Sequence, residues 1–275
     1  MIELPEACTL ARQLNETVRG RRVSRAQANA SPHKFAWYSG DPAAYGSLLA
    51  GKTVGEARAY GSRVEMEAGD LLMCFCEGVN LRLYGSWDAA PQKHQLLLAF
   101  EDGTLLAATV AMYGGIFLGA PEVVRADAYH RKAMEAPSPL SGAFDEARFA
   151  SLLDADAMKL PAKAFLAAGQ RIPGLGNGVL QDILFNARIH PRRKMGALSA
   201  EERTRLYQSV RGTLRDMADH GGRDSERDLF GNPGGYAVKM GKGTVGKPCQ
   251  ICGHAVMKES YLGGSVYWCP GCQPT

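Results

Sequence analysis

Four cysteines near the C-terminal end constrain the chain more than any other feature: Cys249-Gln-Ile-Cys252 is followed, after 16 residues, by Cys269-Pro-Gly-Cys272. Each Cys-x-x-Cys lets two thiolates reach one metal from a tight turn, and two such knuckles on a hairpin complete a tetrahedral site with no open position. The expected occupant is a structural Zn2+, and a segment with so little core draws most of its folding energy from the metal. Redox-active pairs are the alternative, but no thioredoxin-like βαβ pattern surrounds these cysteines. The other three, Cys8, Cys74 and Cys76, form no disulfide-like framework, which fits a reducing compartment.

With 275 residues and 45% apolar content, the chain has material for two compact domains and a small appendage. It contains no run of about 18 apolar residues, and its start, MIELPEACTL, lacks the basic-then-apolar layout of a secretion signal. The expectation is a cytoplasmic protein with no membrane association. A net charge of +4 is compatible with a polyanionic partner without demanding one.

From Glu3 to about Arg22 the apolar spacing and Pro5 predict one amphipathic helix. Short apolar runs bounded by Gly, Asp and Asn then fill the stretch to about Val124, with an Asp102-Gly103 turn, and predict an antiparallel sandwich or barrel. Beyond EAPSPLSG the period becomes helical in FDEARFASLLDAD, PAKAFLAAGQ, NGVLQDILFNARI and SAEERTRLYQSVRGTLRDMADH. The overall expectation is an α+β protein: helix plus antiparallel β-sandwich over about 1–125, a linker over about 126–150, a helical domain over about 151–245 and the finger over about 246–275. The polar, glycine-dense stretch between about 220 and 247 is expected to be mobile without a partner.

The turn Gln170-Arg171-Ile172-Pro173-Gly174-Leu175-Gly176-Asn177-Gly178 joins two helical patterns and ends at an asparagine able to cap the next helix. Free amides at that helix start would seat a phosphate; an ordinary helix-helix turn is the other reading. Ile189-His190-Pro191-Arg192-Arg193-Lys194 adds a basic cluster at the helix exit.

Together these residues resemble the formamidopyrimidine-DNA glycosylase and endonuclease VIII family over essentially the whole chain. Glu3-Leu4-Pro5-Glu6 resembles the family's N-terminal signature, Gly174 to Asn177 through Ile189-His190-Pro191 its helix-two-turn-helix, and Pro248 to Gln273 its finger. Leu83-Tyr84-Gly85 and Tyr267 to Gln273 look closer to the endonuclease VIII branch. The resemblance implies a monomeric clamp across double-stranded DNA carrying a damaged base or an abasic site, near the nucleoid if bacterial. The damaged nucleotide is flipped out, and a wedge fills the vacancy. Arg82-Leu83-Tyr84, in a β-loop, matches the wedge; packing of Leu83 and Tyr84 inside the sandwich is the alternative. Lys258 of the finger hairpin is a further expected DNA contact.

The chain departs from the family at the reacting centre. Members that cut the strand use the secondary amine of an N-terminal proline, where this chain has Ile2. A bulky residue there is expected to keep Met1 in place, whose primary amine is displaced by up to about 3.5 Å from where the proline amine would act. The family's lysine corresponds to Ser62, with Arg63 expected on the opposite strand face, and the finger's phosphate-binding arginine falls within Gly263-Gly264-Ser265. Asn177 and Glu3 remain. The resemblance gives Glu3 the proton handling at the sugar and Glu6 the orientation of the N-terminus; as bare sequence both also read as first-turn helix glutamates. The expected outcome is base excision with strand cleavage weak or absent, or else binding without catalysis.

Overall fold

The structure is a computed structural model describing residues 1–275. Helix α1 (Leu4–Thr17) carries Pro5 in its first turn, and the Glu3 amide donates to the Glu6 carboxylate at 3.2 Å, which fixes that turn. The strands and short helices that follow are β1 (Val23–Ala28), β2 (Ala36–Tyr38), α2 (Tyr45–Leu49), β3 (Val54–Tyr60), β4 (Arg63–Ala68), β5 (Leu71–Phe75), β6 (Val79–Tyr84), β7 (Leu96–Phe100), β8 (Leu105–Val110) and β9 (Gly114–Gly119). They build two sheets, ordered β1-β7-β8-β6 and β2-β9-β5-β4-β3. All pairings are antiparallel except β2 with β9.

Alternation along the strands sorts the side chains. Leu96, Leu98 and Phe100 of β7 enter the core between the sheets, while Leu97 and Ala99 cover the outer face. The inner core also takes Val64 and Met66 of β4, Met73 and Phe75 of β5, and Ala7, Leu10 and Leu14 of α1. A second core lies among α5 (Glu146–Ser151), α6 (Ala162–Ala167), α7 (Val179–Asn186) and α8 (Ala200–Asp219). Leu4 of α1 belongs to this second core, so a single helix bridges both. Two short helices, α3 (Pro121–Val124) and α4 (Ala128–Glu135), lead from the sandwich toward the helical part, and β10 (Met257–Tyr261) with β11 (Gly264–Trp268) forms the terminal hairpin. No helix is long and apolar enough to cross a membrane.

Three features differ from the sequence expectation. The parallel β2–β9 pair and the short helices α2, α3 and α4 carry too few residues for a period to show. The stretch 220–247 is irregular in backbone yet pinned: Arg223, Leu229, Tyr236 and Met240 are buried, and Leu229 sits in the sandwich core. Gln13 of α1 holds this strap by donating to Asp228 at 2.9 Å and accepting from the Leu229 amide at 2.9 Å.

One buried ion network ties α4 back to β4. Glu65, 1% exposed, accepts from Arg125 at 2.9 and 2.6 Å and lies 2.8 Å from His130 Nε2. Burial alone would raise its pKa, but the Arg125 and His130 hydrogen bonds outweigh burial and bring it down to about 2. The folded carboxyl thus titrates below the unfolded one at 4.5, so its stabilisation is complete above that pH and fades as pH falls toward 2. Glu65→Gln is expected to lose roughly 3 kcal/mol at neutral pH and to flatten the acid limb of the stability curve, as read by urea unfolding across pH.

Candidate active site in the interdomain cleft

A cleft of about 690 Å³ opens between the sandwich, the helical part and the tip of the β10–β11 hairpin, and Met1, Glu3, Ser62, Arg63, Tyr113 and Asn177 are among its walls. At its base Glu3, 4% exposed, accepts one hydrogen bond on each carboxylate oxygen, from the Gly178 and Val179 amides, both at 2.8 Å. These are the first free amides of α7. The helix end expected to hold a phosphate is therefore occupied by a carboxylate of the protein itself, for the same dipolar reason. Burial pushes the Glu3 carboxyl above its ordinary 4.5, while Arg223 and the two amides pull against that rise and Glu6 adds to it.

Arg223, reaching in from the strap, is 3% exposed. Its Nε and Nη2 donate to the two oxygens of Glu6 at 2.9 and 2.8 Å, and Nη1 lies 3.7 Å from Glu3. Burial disfavours this cation, but Glu3 and Glu6 more than compensate and hold it charged. Gly178 makes the arrangement possible, because a Cβ there would lie 1.5 Å from Arg223 Nη1.

Glu6 reaches the N-terminal residue only through Arg223, whose Nη2 donates both to Glu6 at 2.8 Å and to the Met1 carbonyl at 3.4 Å. Ile2 is buried in the sandwich core, and the Met1 ammonium pairs with Glu226 of the strap. Met1 Sδ meets the Tyr113 hydroxyl at 3.6 Å. Glu6 is committed instead to Arg223 and the Glu3 amide.

Ser62 and Arg63 both reach the cleft wall, correcting the expectation of opposite faces. Ser62 sits in the turn after Gly61, whose φ of +59° breaks the strand, so alternation starts only at Arg63. Ser62 Oγ hydrogen-bonds to Glu77; Arg63 pairs with Asp127 at 2.7 Å and lies over the Tyr129 ring at 5.1 Å.

Arg82-Leu83-Tyr84 is not a loop. All three lie inside β6, with Leu83 opposite Leu106 and Tyr84 opposite Leu105; Leu83 packs on the sandwich core, and Arg82 donates to the Asp228 carbonyl at 2.7 Å. Exposed apolar side chains at the cleft include Met112 and Tyr113, 66% and 40% exposed, in the turn between β8 and β9, together with Leu262 at the tip of the β10–β11 hairpin and Met1. The sequence signal of Met112 and Tyr113, an apolar pair carried past the end of a strand into Gly114-Gly115, was available.

Asn177 does not cap α7. Its Nδ2 donates to the Ser265 carbonyl at 3.0 Å and so ties the helical part to the finger hairpin. Lys163, which the sequence did not single out, makes the matching tie to the Tyr261 carbonyl. Lys258 is exposed on β10, outside the cleft. The Sγ atoms of Cys249, Cys252, Cys269 and Cys272 all lie within 4.8 Å of one another, a spacing that can hold one metal ion.

Comparison with known proteins agrees with this geometry. Residues 1–111 match the formamidopyrimidine-DNA glycosylase N-terminal domain. A formamidopyrimidine-DNA glycosylase of Symbiobacterium thermophilum is 30% identical over 286 residues, covering 100% of this chain and 90% of that protein. One from Thermus thermophilus is 30% identical over 289 residues, covering 99% and 98%. Among solved structures, the Lactococcus lactis enzyme in complex with DNA containing an abasic site superposes with a TM-score of 0.82 at 25% identity, covering 99% of this chain and 100% of that one. The chain belongs to the formamidopyrimidine-DNA glycosylase family.

Proposed function

We propose that this protein is a base-excision repair glycosylase. It binds double-stranded DNA carrying a damaged base or an abasic site across the cleft, turns the damaged nucleotide out and hydrolyses its base–sugar bond. The observation that supports this most is Glu3, a carboxylate facing the cleft from a fixed seat on two helix amides. Such a group takes a proton from water as it adds to the sugar carbon, and the base departs with the bonding electrons. Burial raises its affinity for a proton, which suits a group that must both accept and return one.

Strand cleavage by an amine is weak or absent in this reading. Ile2, which stands at the sequence position of the family's proline, is anchored in the core, and the Met1 amine is engaged by Glu226. The wedge role passes from Leu83 and Tyr84 to Met112 and Tyr113, which are exposed at the cleft. Ser62, Asn177 and Lys258 act as contacts to the DNA backbone. The protein works as a monomer in the cytoplasm, and likeness to the endonuclease VIII branch rests on Leu83-Tyr84-Gly85 and Tyr267 to Gln273.

The four cysteines hold a structural Zn2+ that shapes the hairpin. Removing the metal by chelation, or Cys269→Ser, is expected to release Ser265 and Tyr261 from Asn177 and Lys163. Affinity for abasic-site DNA should then drop on the order of tenfold or more in a fluorescence-anisotropy titration, as two hydrogen bonds worth roughly 1 kcal/mol each are lost.

A non-catalytic binder of abasic or distorted DNA is the second reading. It is favoured by the fact that the Glu3, Glu6 and Met1 groups all have partners within the protein. Release of free base from a panel of lesion duplexes, lost in Glu3→Gln, decides for the glycosylase; tight binding of abasic-site DNA with no base released decides for the binder.

A further inference from the structure

A ridge of exposed rings leads away from the cleft along the rim of the sandwich. It starts at Tyr113, a cleft residue, whose ring stands against Trp37 with centroids 6.2 Å apart. Phe35 continues the line two residues earlier, flanked by the His33 ring at 6.4 Å and by the Lys34 ammonium at 5.2 Å from its centroid. Parallel pairing of β2 with β9 places this segment beside the turn that carries Met112 and Tyr113, and opposite Trp37 the partner strand offers only Gly115.

Phe35, Trp37, Met112 and Tyr113 are 46, 50, 66 and 40% exposed. Four large apolar side chains left in contact with water side by side mark a binding surface. Three observations choose among occupants. The ridge is continuous with the cleft through Tyr113; the Lys34 ammonium stands 5.2 Å from the Phe35 ring centroid at its far end; and its members are mainly flat rings, which accept any base by its π-face.

We propose that the ridge is a stacking platform for unpaired bases on the strand leaving the cleft, so that the preferred substrate is DNA whose pairing is open next to the damaged site. The inference rests on the repair reading above, because it takes the cleft as the DNA site. The family relationship does not require it, since neither Trp37 nor Phe35 is among the walls of the cleft.

The test uses the full-length, zinc-loaded protein and three DNAs that share one abasic-analogue strand: fully paired, with an unpaired bubble beside the site, and single-stranded. Wild type is expected to bind the bubble at least about fivefold more tightly than the full duplex, the lower end of what one stacked base contributes. That ratio should survive added salt while both affinities fall, because stacking is not a phosphate contact. Trp37→Ala and Phe35→Ala should each reduce the ratio toward one and leave duplex affinity within about twofold; Trp37→Phe should keep it. Both side chains are half-exposed, so neither substitution opens the core.

Equal binding of bubble and duplex by wild type overturns the inference and leaves the ridge to a protein partner. So does a preference that persists in both alanine variants, or a Trp37→Ala variant that loses duplex and bubble binding alike. Failure of wild type to bind abasic-site DNA in any form removes the repair reading itself, an outcome distinct from loss of the preference alone.

Discussion

Glu3→Gln is expected to reduce release of a damaged base by about 10²- to 10⁴-fold, the range that a positioned acid-base group contributes. The substitution keeps the shape of the side chain but removes its charge and its ability to hold a proton. It also replaces one acceptor oxygen by an amide NH2, so one of the Gly178 and Val179 amides faces a donor instead. That mismatch should lower stability by about 1–3 kcal/mol. The two effects separate cleanly, because binding of abasic-site DNA, measured on the folded fraction, should change little. If Glu3 only capped α7, excision would fall no further than the folded fraction does.

Arg223→Met should have the largest effect on stability. It leaves Glu3 and Glu6 buried at 4 and 6% exposure without their cation, and breaking a buried pair in this way costs about 3–5 kcal/mol. For a chain of this length the melting temperature should drop by roughly 10 °C, using 2–4 °C per kcal/mol. Gly178→Ala attacks the same arrangement from the other side, because its Cβ cannot coexist with a guanidinium 1.5 Å away. The two substitutions should therefore be strongly non-additive: in the Arg223→Met background, Gly178→Ala is expected to add less than about 1 kcal/mol. Additive losses in calorimetry would show that Gly178 and Arg223 act independently.

What the sequence displayed follows from how local each signal is. The sandwich strands are legible because apolar runs alternate between Gly, Asp and Asn turns, and α8 because Ser199 and Glu202 form a capping box at its start. The finger is legible because its four ligands sit in two short motifs. Leu83 and Tyr84 illustrate the limit: an apolar pair reads equally as a wedge or as a strand residue, and only pairing with β8 decides.

The centre of the site was harder, since its contacts span the chain. Glu3 meets Gly178 across 175 positions, and Glu6 meets Arg223 across 217. Arg223 lies in a glycine-dense stretch that reads as mobile, and no periodicity betrays that a buried cation will be drawn in by two glutamates of α1. Ser62 and Arg63 share the cleft because one positive-φ glycine shifts the register at the turn, a detail that strand alternation overlooks.

The central claim is base hydrolysis without an amine intermediate, and one reaction tests it directly. Wild-type protein is incubated with lesion-containing duplex in the presence of borohydride, and free base and protein–DNA adduct are quantified together by mass spectrometry. The account predicts that free base accumulates while no covalent adduct forms. An adduct at the N-terminal amine, or abasic-site binding with no base released from any lesion, would contradict it.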